Sequence, residues 1–165
     1  MDNIILIGMP GSGKSTVGVL LAKIIGYSFI DVDLLIQQRA GKKLYEILRD
    51  EGPDAFAQLE NDVNRRIETH KTVIATGGSV IYGKEAMAHF KEIGTVVYLQ
   101  VELPELTRRV GNFATRGILM KEGETFADIY HERVPLYKQY ADVTVACQNA
   151  DLITNAEKIA HALGL

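Results

Sequence analysis

Residues 8–16 read Gly8-Met9-Pro10-Gly11-Ser12-Gly13-Lys14-Ser15-Thr16, and they stand between two apolar runs, Ile4-Ile5-Leu6-Ile7 and Val17-Gly18-Val19-Leu20-Leu21-Ala22. Gly8, four residues, then Gly13-Lys14-Ser15 is the spacing of a loop that wraps a phosphate chain. Glycines let the backbone curl so that successive N–H groups face inward at an anion. The helix that follows offers the same anion its positive N-terminal end. Lys14 supplies a point charge for the β- and γ-phosphates, and the Ser15 hydroxyl is a ligand for Mg²⁺. Gly11, Ser12, Gly13, Lys14, Ser15 and Thr16 are therefore the nucleotide-binding candidates. The alternative, an ordinary glycine-rich turn with an exposed lysine, does not account for a strand, a loop and a helix in the order the chemistry needs.

The rest of the chain fits that start. Thr72–Thr76 and Thr95–Val101 read as further buried strands, and Tyr27–Ile30 and Asp142–Ala146 as shorter ones. Helical spacing covers 14–25, 34–40, 43–49, 84–91, 126–140 and 156–163, together with a long helix from Asp54 to about His70. Pro135 is expected to bend or interrupt the helix over 126–140. Alternating strands and helices predict an α/β three-layer sandwich around a mostly parallel five-stranded sheet, of the phosphate-loop NTPase type. At 165 residues one domain is expected. The net charge of −3 argues against a broad nucleic-acid-binding surface. No apolar run reaches the ~20 residues of a membrane span, and the N-terminal run is too short for a signal peptide. The single Cys147 has no partner for a disulfide and suits a reducing compartment. A cytoplasmic monomer is expected.

In parallel sheets ligands sit beyond the carboxyl ends of the strands. That rule gathers the phosphate loop, Asp31 and Asp33, and Gly77-Gly78-Ser79 at one edge. If the second strand runs through both aspartates, their carboxylates share a face. Asp31, nearer the strand, is assigned to the metal. Asp33, farther out, is assigned to orienting a substrate hydroxyl and taking its proton; capping of the following helix is the competing reading. Gly77 and Gly78 let the backbone approach a substrate closely. Arg108, Arg109, Arg116 and Arg133 form a cationic set suited to phosphate and carboxylate. Arg116 falls in an aperiodic stretch, 111–121, where a lid is expected.

These residues together resemble the shikimate kinase family. The resemblance runs nearly the whole length, through 8–18, Phe29-Ile30-Asp31-Val32-Asp33, Ile36–Lys42, Glu51-Gly52 before Phe56 and Glu60, Ala75–Gly78, Arg108-Arg109, Arg116, and Arg133-Val134-Pro135-Leu136-Tyr137. It implies ATP- and Mg²⁺-dependent phosphorylation of the 3-hydroxyl of shikimate, with an acceptor-binding segment at about 33–62 and a lid at about 111–121. By resemblance, Lys14, Asp33 and Arg116 are catalytic and Arg109 lies by the nucleotide. Asp33, Gly77, Gly78 and Arg133 bind the substrate, Arg133 through its carboxylate, while Ser15 and Asp31 serve the metal. The chain departs from the family on the acceptor side. The family's Phe-Arg-x-x-Glu is Phe56-Ala57-Gln58-Leu59-Glu60, so a carboxylate-binding arginine is missing. Its third glycine is Ser79, its lid proline is Gly117, which is expected to loosen the lid, and its usual glutamate at 37 is Gln37. Arg65 and Arg66 are candidates to replace the missing cation. A kinase for another hydroxy acid or polyol, and a non-catalytic ATP-binding protein, are the competing functions. A nucleoside monophosphate kinase is weaker, because 33–72 has no arginine pair arranged for a second phosphate.

Overall fold

The computed structural model describes residues 2–111, 117–147 and 151–165. Five strands form one sheet: β1 (Asn3–Ile7), β2 (Ser28–Asp31), β3 (Thr72–Ala75), β4 (Gly94–Gln100) and β5 (Val143–Ala146). Their order is β2-β3-β1-β4-β5, and every pairing is parallel. The uniformly apolar segments take the central places, where both sheet faces are covered; every residue of β1 and of β3 is buried. The mixed segments, Ser28-Phe29-Ile30-Asp31 and Val143-Thr144-Val145-Ala146, take the edges and are partly exposed.

Seven helices are described: α1 (Lys14–Ile25), α2 (Val32–Ala40), α3 (Leu44–Asn64), α4 (Lys84–Ile93), α5 (Leu103–Val110), α6 (Phe126–Tyr140) and α7 (Leu152–Ala162). Helix α1 lies on the Leu6 face of the sheet. A Cβ on its Gly18 would meet Phe29 at 2.7 Å and Leu6 at 3.2 Å, so a glycine is what lets the helix seat on the strands. Tyr98, in register with Ile7, projects from the opposite face and stacks on Tyr137 of α6 at 5.2 Å. Helices thus cover both faces, and the three layers follow. The far end of the sheet is tied by buried Asn3. Its Nδ2 donates to the carbonyls of Thr69 and Ile93, and its Oδ1 accepts from the Thr72 N–H.

Several boundaries differ from the sequence expectation, each for a local reason. β2 stops at Asp31, whose carboxylate accepts from the Leu34 N–H and caps α2. The two aspartates therefore do not alternate along one strand: Asp33 stands in the first turn of a helix. The expected short and long helices over 43–70 meet as α3, broken at Gly52, whose φ of 84° is non-helical, with Pro53 directly after it. The long part ends at Asn64 rather than His70. Pro135 does not interrupt α6. Helix α7 starts four residues earlier than its apolar spacing indicates, because Asp151 caps it through the Thr154 N–H at 2.8 Å.

Candidate active site

The phosphate loop leaves β1 and enters α1 with Gly11 and Gly13 at φ of 84° and 90°, a region costly for any residue with a Cβ. This curl sets one wall of a cleft of about 310 Å³ at the carboxyl edge of the sheet. Gly11, Gly13, Lys14, Ser15 and Thr16 line that wall, joined by Arg109 from the last turn of α5. The Arg109 guanidinium donates to the Gly11 carbonyl and to Glu105, which fixes it beside the loop. Ser12 is buried behind the wall, where its Oγ accepts from the Lys14 ammonium at 3.3 Å.

Lys14 is only 7 % exposed. Its ammonium donates to the carbonyls of Gly8 and Met9 at 2.7 and 2.9 Å. Burial pulls its pKa down to about 8, with the Asp33 charge working against that fall. Asp33 is pushed up to about 6, first by burial and then by the neighbouring Asp31 charge, with Lys14 opposing. Asp33 lines the cleft. Asp31 does not stand on the wall, yet its charge is felt by both groups.

The opposite wall comes from Thr76-Gly77-Gly78-Ser79 after β3, from Phe56 and Glu60 of α3, and from Arg133 of α6. A Cβ on Gly77 would stand 2.6 Å from Glu60 Oε2 and 3.0 Å from Asp33 Oδ1; on Gly78 it would meet Pro10 at 2.7 Å. The glycine pair lets two carboxylates and the phosphate loop converge. Tyr137 donates its hydroxyl to the Gly78 carbonyl and so anchors that turn. Arg133 donates Nη2 to the Leu119 carbonyl and lies 5.5 Å from the Tyr82 ring centre, while its Nε has no hydrogen-bond partner among the described residues. The third side is the described end of the expected lid, Gly117-Ile118-Leu119. Gly117 holds a φ of 64°, which proline cannot adopt, and a Cβ there would come within 2.4 Å of the Leu44 side chain. The glycine thus seats this stretch against the start of α3. Arg116 lies outside the described residues.

Glu60, Ser79, Tyr137 and Gln37 gain roles that sequence reasoning did not assign. Glu60 is 3 % exposed, and burial pushes its carboxyl up to about 7 despite the Ser79 hydroxyl donating to it at 2.6 Å. Ser79 is therefore a hydrogen-bond donor to a buried acid rather than a plain obstruction in a tight pocket. The sequence signal was available: Glu60 falls four residues after Phe56, on the apolar stripe of its helix. Gln37 accepts from the Leu44 N–H at 3.2 Å and ties α2 to α3. Arg65 and Arg66 do not reach the cleft wall; both pair with Asp62, and Arg65 also with Glu85.

Residues 10–163 match the family model described as shikimate kinase. The chain belongs to the shikimate kinase family. It is 36% identical to shikimate kinase of Persephonella marina over 149 residues, which cover 90% of each chain. Among solved structures it is similar to the shikimate kinase of Acinetobacter baumannii in complex with shikimate, with a TM-score of 0.91 and 30% identity over 99% of this chain and 93% of that one. Deoxyadenosine kinase from M. mycoides, at 17% identity and a TM-score of 0.60 over 98% of both chains, shares the fold alone. The cleft is thus that of a shikimate kinase family phosphotransferase.

Proposed function

We propose that the protein transfers the γ-phosphoryl group of ATP to the 3-hydroxyl of shikimate, giving ADP and shikimate 3-phosphate. The observation that carries this reading is one cleft lined by both Lys14 and Asp33, which come from different elements and sense each other's charge. Amides of residues 11–15 hold the phosphates, and Lys14 and Arg109 balance their charge. By the family pattern, Arg116 adds a further positive charge for the phosphates. Asp33 orients the acceptor hydroxyl and accepts its proton as the oxygen bonds to the γ-phosphorus and the bond to the ADP oxygen breaks. A carboxyl at about 6 is ionised at neutral pH, yet basic enough for that transfer. Arg133 takes the shikimate carboxylate, and Gly77 and Gly78 let the ring approach. Gly117–Leu119 helps keep water, the competing acceptor, from the phosphoryl group.

The donor set fits Mg²⁺ held largely by the nucleotide. The described residues include no group of three His, Cys, Asp or Glu side chains able to cage a metal, whereas Ser15 lines the cleft and the Asp31 charge is felt by Lys14 and Asp33 within it. Ser15 would bind Mg²⁺ directly and Asp31 through water. When bound, the ion neutralises charge on the β- and γ-phosphates. We further propose a cytoplasmic monomer; among the described residues no helix is long and apolar enough to cross a membrane, and the one cysteine is free and buried. The test is product analysis: ATP, Mg²⁺ and shikimate should yield a shikimate monophosphate whose phosphorus couples by NMR to the proton on carbon 3. A product phosphorylated elsewhere, or none, would contradict the reading.

A further inference from the structure

The acceptor wall lacks the arginine that the family pattern places at 57, and the structure shows what stands there instead. Ala57 opens on a second cavity of about 250 Å³, which shares Arg133 and Leu119 with the main cleft. Arg133 is 2 % exposed, spends Nη2 on the Leu119 carbonyl, and keeps a buried Nε with no partner among the described residues. A guanidinium so placed marks the seat of an anion. It cannot serve a carboxylate fully, because two oxygens offer about four acceptor sites. Lys121 lines the same second cavity. Among the described residues its ammonium makes no ion pair within 4.0 Å, although acidic residues share the wall. Those acids are partly engaged: Glu124 accepts from the Lys121 backbone N–H at 3.0 Å, and Glu132 from the Tyr82 hydroxyl at 2.6 Å. The third, Asp54, sits with Pro53 at the start of the long part of α3.

We propose that Lys121 supplies the second cation to the acceptor carboxylate, reaching through the cavity left open by Ala57. The proposal rests on the shikimate reading. A lysine suits this task because its flexible four-carbon stem delivers a compact charge without the fixed fork of arginine. It comes from the last residue of the expected lid stretch, so the acceptor is gripped from that side rather than from α3. Arg65 and Arg66, held by Asp62 on the outer face, leave the role to Lys121.

Steady-state kinetics with shikimate at saturating ATP and Mg²⁺ test this. Lys121→Met should raise KM for shikimate about tenfold or more, the cost of losing one charge-assisted contact. It should lower kcat by no more than about threefold, because the carboxylate is two ring positions from the reacting hydroxyl, takes no part in the bond change, and keeps an equal contact in ground and transition states. Lys121→Arg should stay close to wild type. Ala57→Arg should lower KM far more in the Lys121→Met background than in wild type. A KM unchanged in Lys121→Met, a loss confined to kcat, or equal effects of Ala57→Arg in both backgrounds would overturn the proposal. Failure of the shikimate reading looks different: wild type itself would then show no shikimate-dependent release of ADP.

Discussion

The two walls of the cleft are built in opposite ways. The proposed nucleotide wall is, Arg109 of α5 apart, one continuous segment, Gly8 to Thr16, whose chemistry is mostly backbone amide and one lysine. The proposed acceptor wall is assembled from Asp33 on α2, Glu60 on α3, the turn at 77–79, residues 117–119 and Arg133 on α6. Changing the first requires a change in backbone path, so it is held or lost as a unit. The second can exchange one side chain at a time. Every departure of this chain from its family pattern that the sequence exposes, at 37, 57, 79 and 117, falls on the acceptor side or its supports.

Substitutions can break that comparison, and the largest effect belongs to the acid where the walls meet. Asp33→Asn should lower kcat by about a hundredfold to ten-thousandfold, the range for losing a general base, with ATP binding measured by calorimetry kept. Lost ATP binding would mean that Asp33 serves the nucleotide wall instead. Lys14→Ala should cost about a hundredfold to a thousandfold in turnover, as for loss of a preorganised electrostatic partner, with shikimate affinity retained. Near-normal turnover would contradict the phosphate role.

Smaller effects sharpen the acceptor side. Ser79→Ala leaves the buried Glu60 carboxylate without its donor and should cost about 1–3 kcal/mol at neutral pH or above. At about 2–4 °C per kcal/mol for a chain of this size, a thermal melt resolves it; an unchanged melt would mean the Ser79–Glu60 bond is idle. The least effect is a slope. The Glu60 carboxyl rises from an ordinary 4.5 to about 7 on folding. Between those values the native state holds more protons than the unfolded one, so this group's contribution to stability falls as pH rises from 4.5 to about 7. Glu60→Gln should remove that fall, flattening the melting temperature against pH across the window. Equal slopes in the two proteins would show that Glu60 does not carry it.

How much was legible in the sequence follows from the same contrast. The phosphate loop, the central strands and the edge at which the site lies all derive from local spacing, and the structure places them accordingly. The aspartate pair was misread in geometry because chain direction changes between Asp31 and Asp33. A cap at Asp31, visible only once β2 ends there, turns two strand positions into a cap and a helix position. Glu60 and Ser79 meet across 19 residues, and Ala57, Lys121 and Arg133, each from a different segment, share one cavity. Local periodicity has no access to such juxtapositions. Gly117 needed its φ of 64° and the nearness of Leu44 to be understood as a seat for the lid segment.

The most direct test is the rate of ADP formation at fixed ATP and Mg²⁺ as shikimate is titrated into the wild-type protein. A rate that rises from near zero and saturates with shikimate is predicted, with one ADP formed per phosphorylated acceptor. An ADP release that is absent, or that proceeds at the same rate without shikimate, would contradict the assignment of the two walls to donor and acceptor.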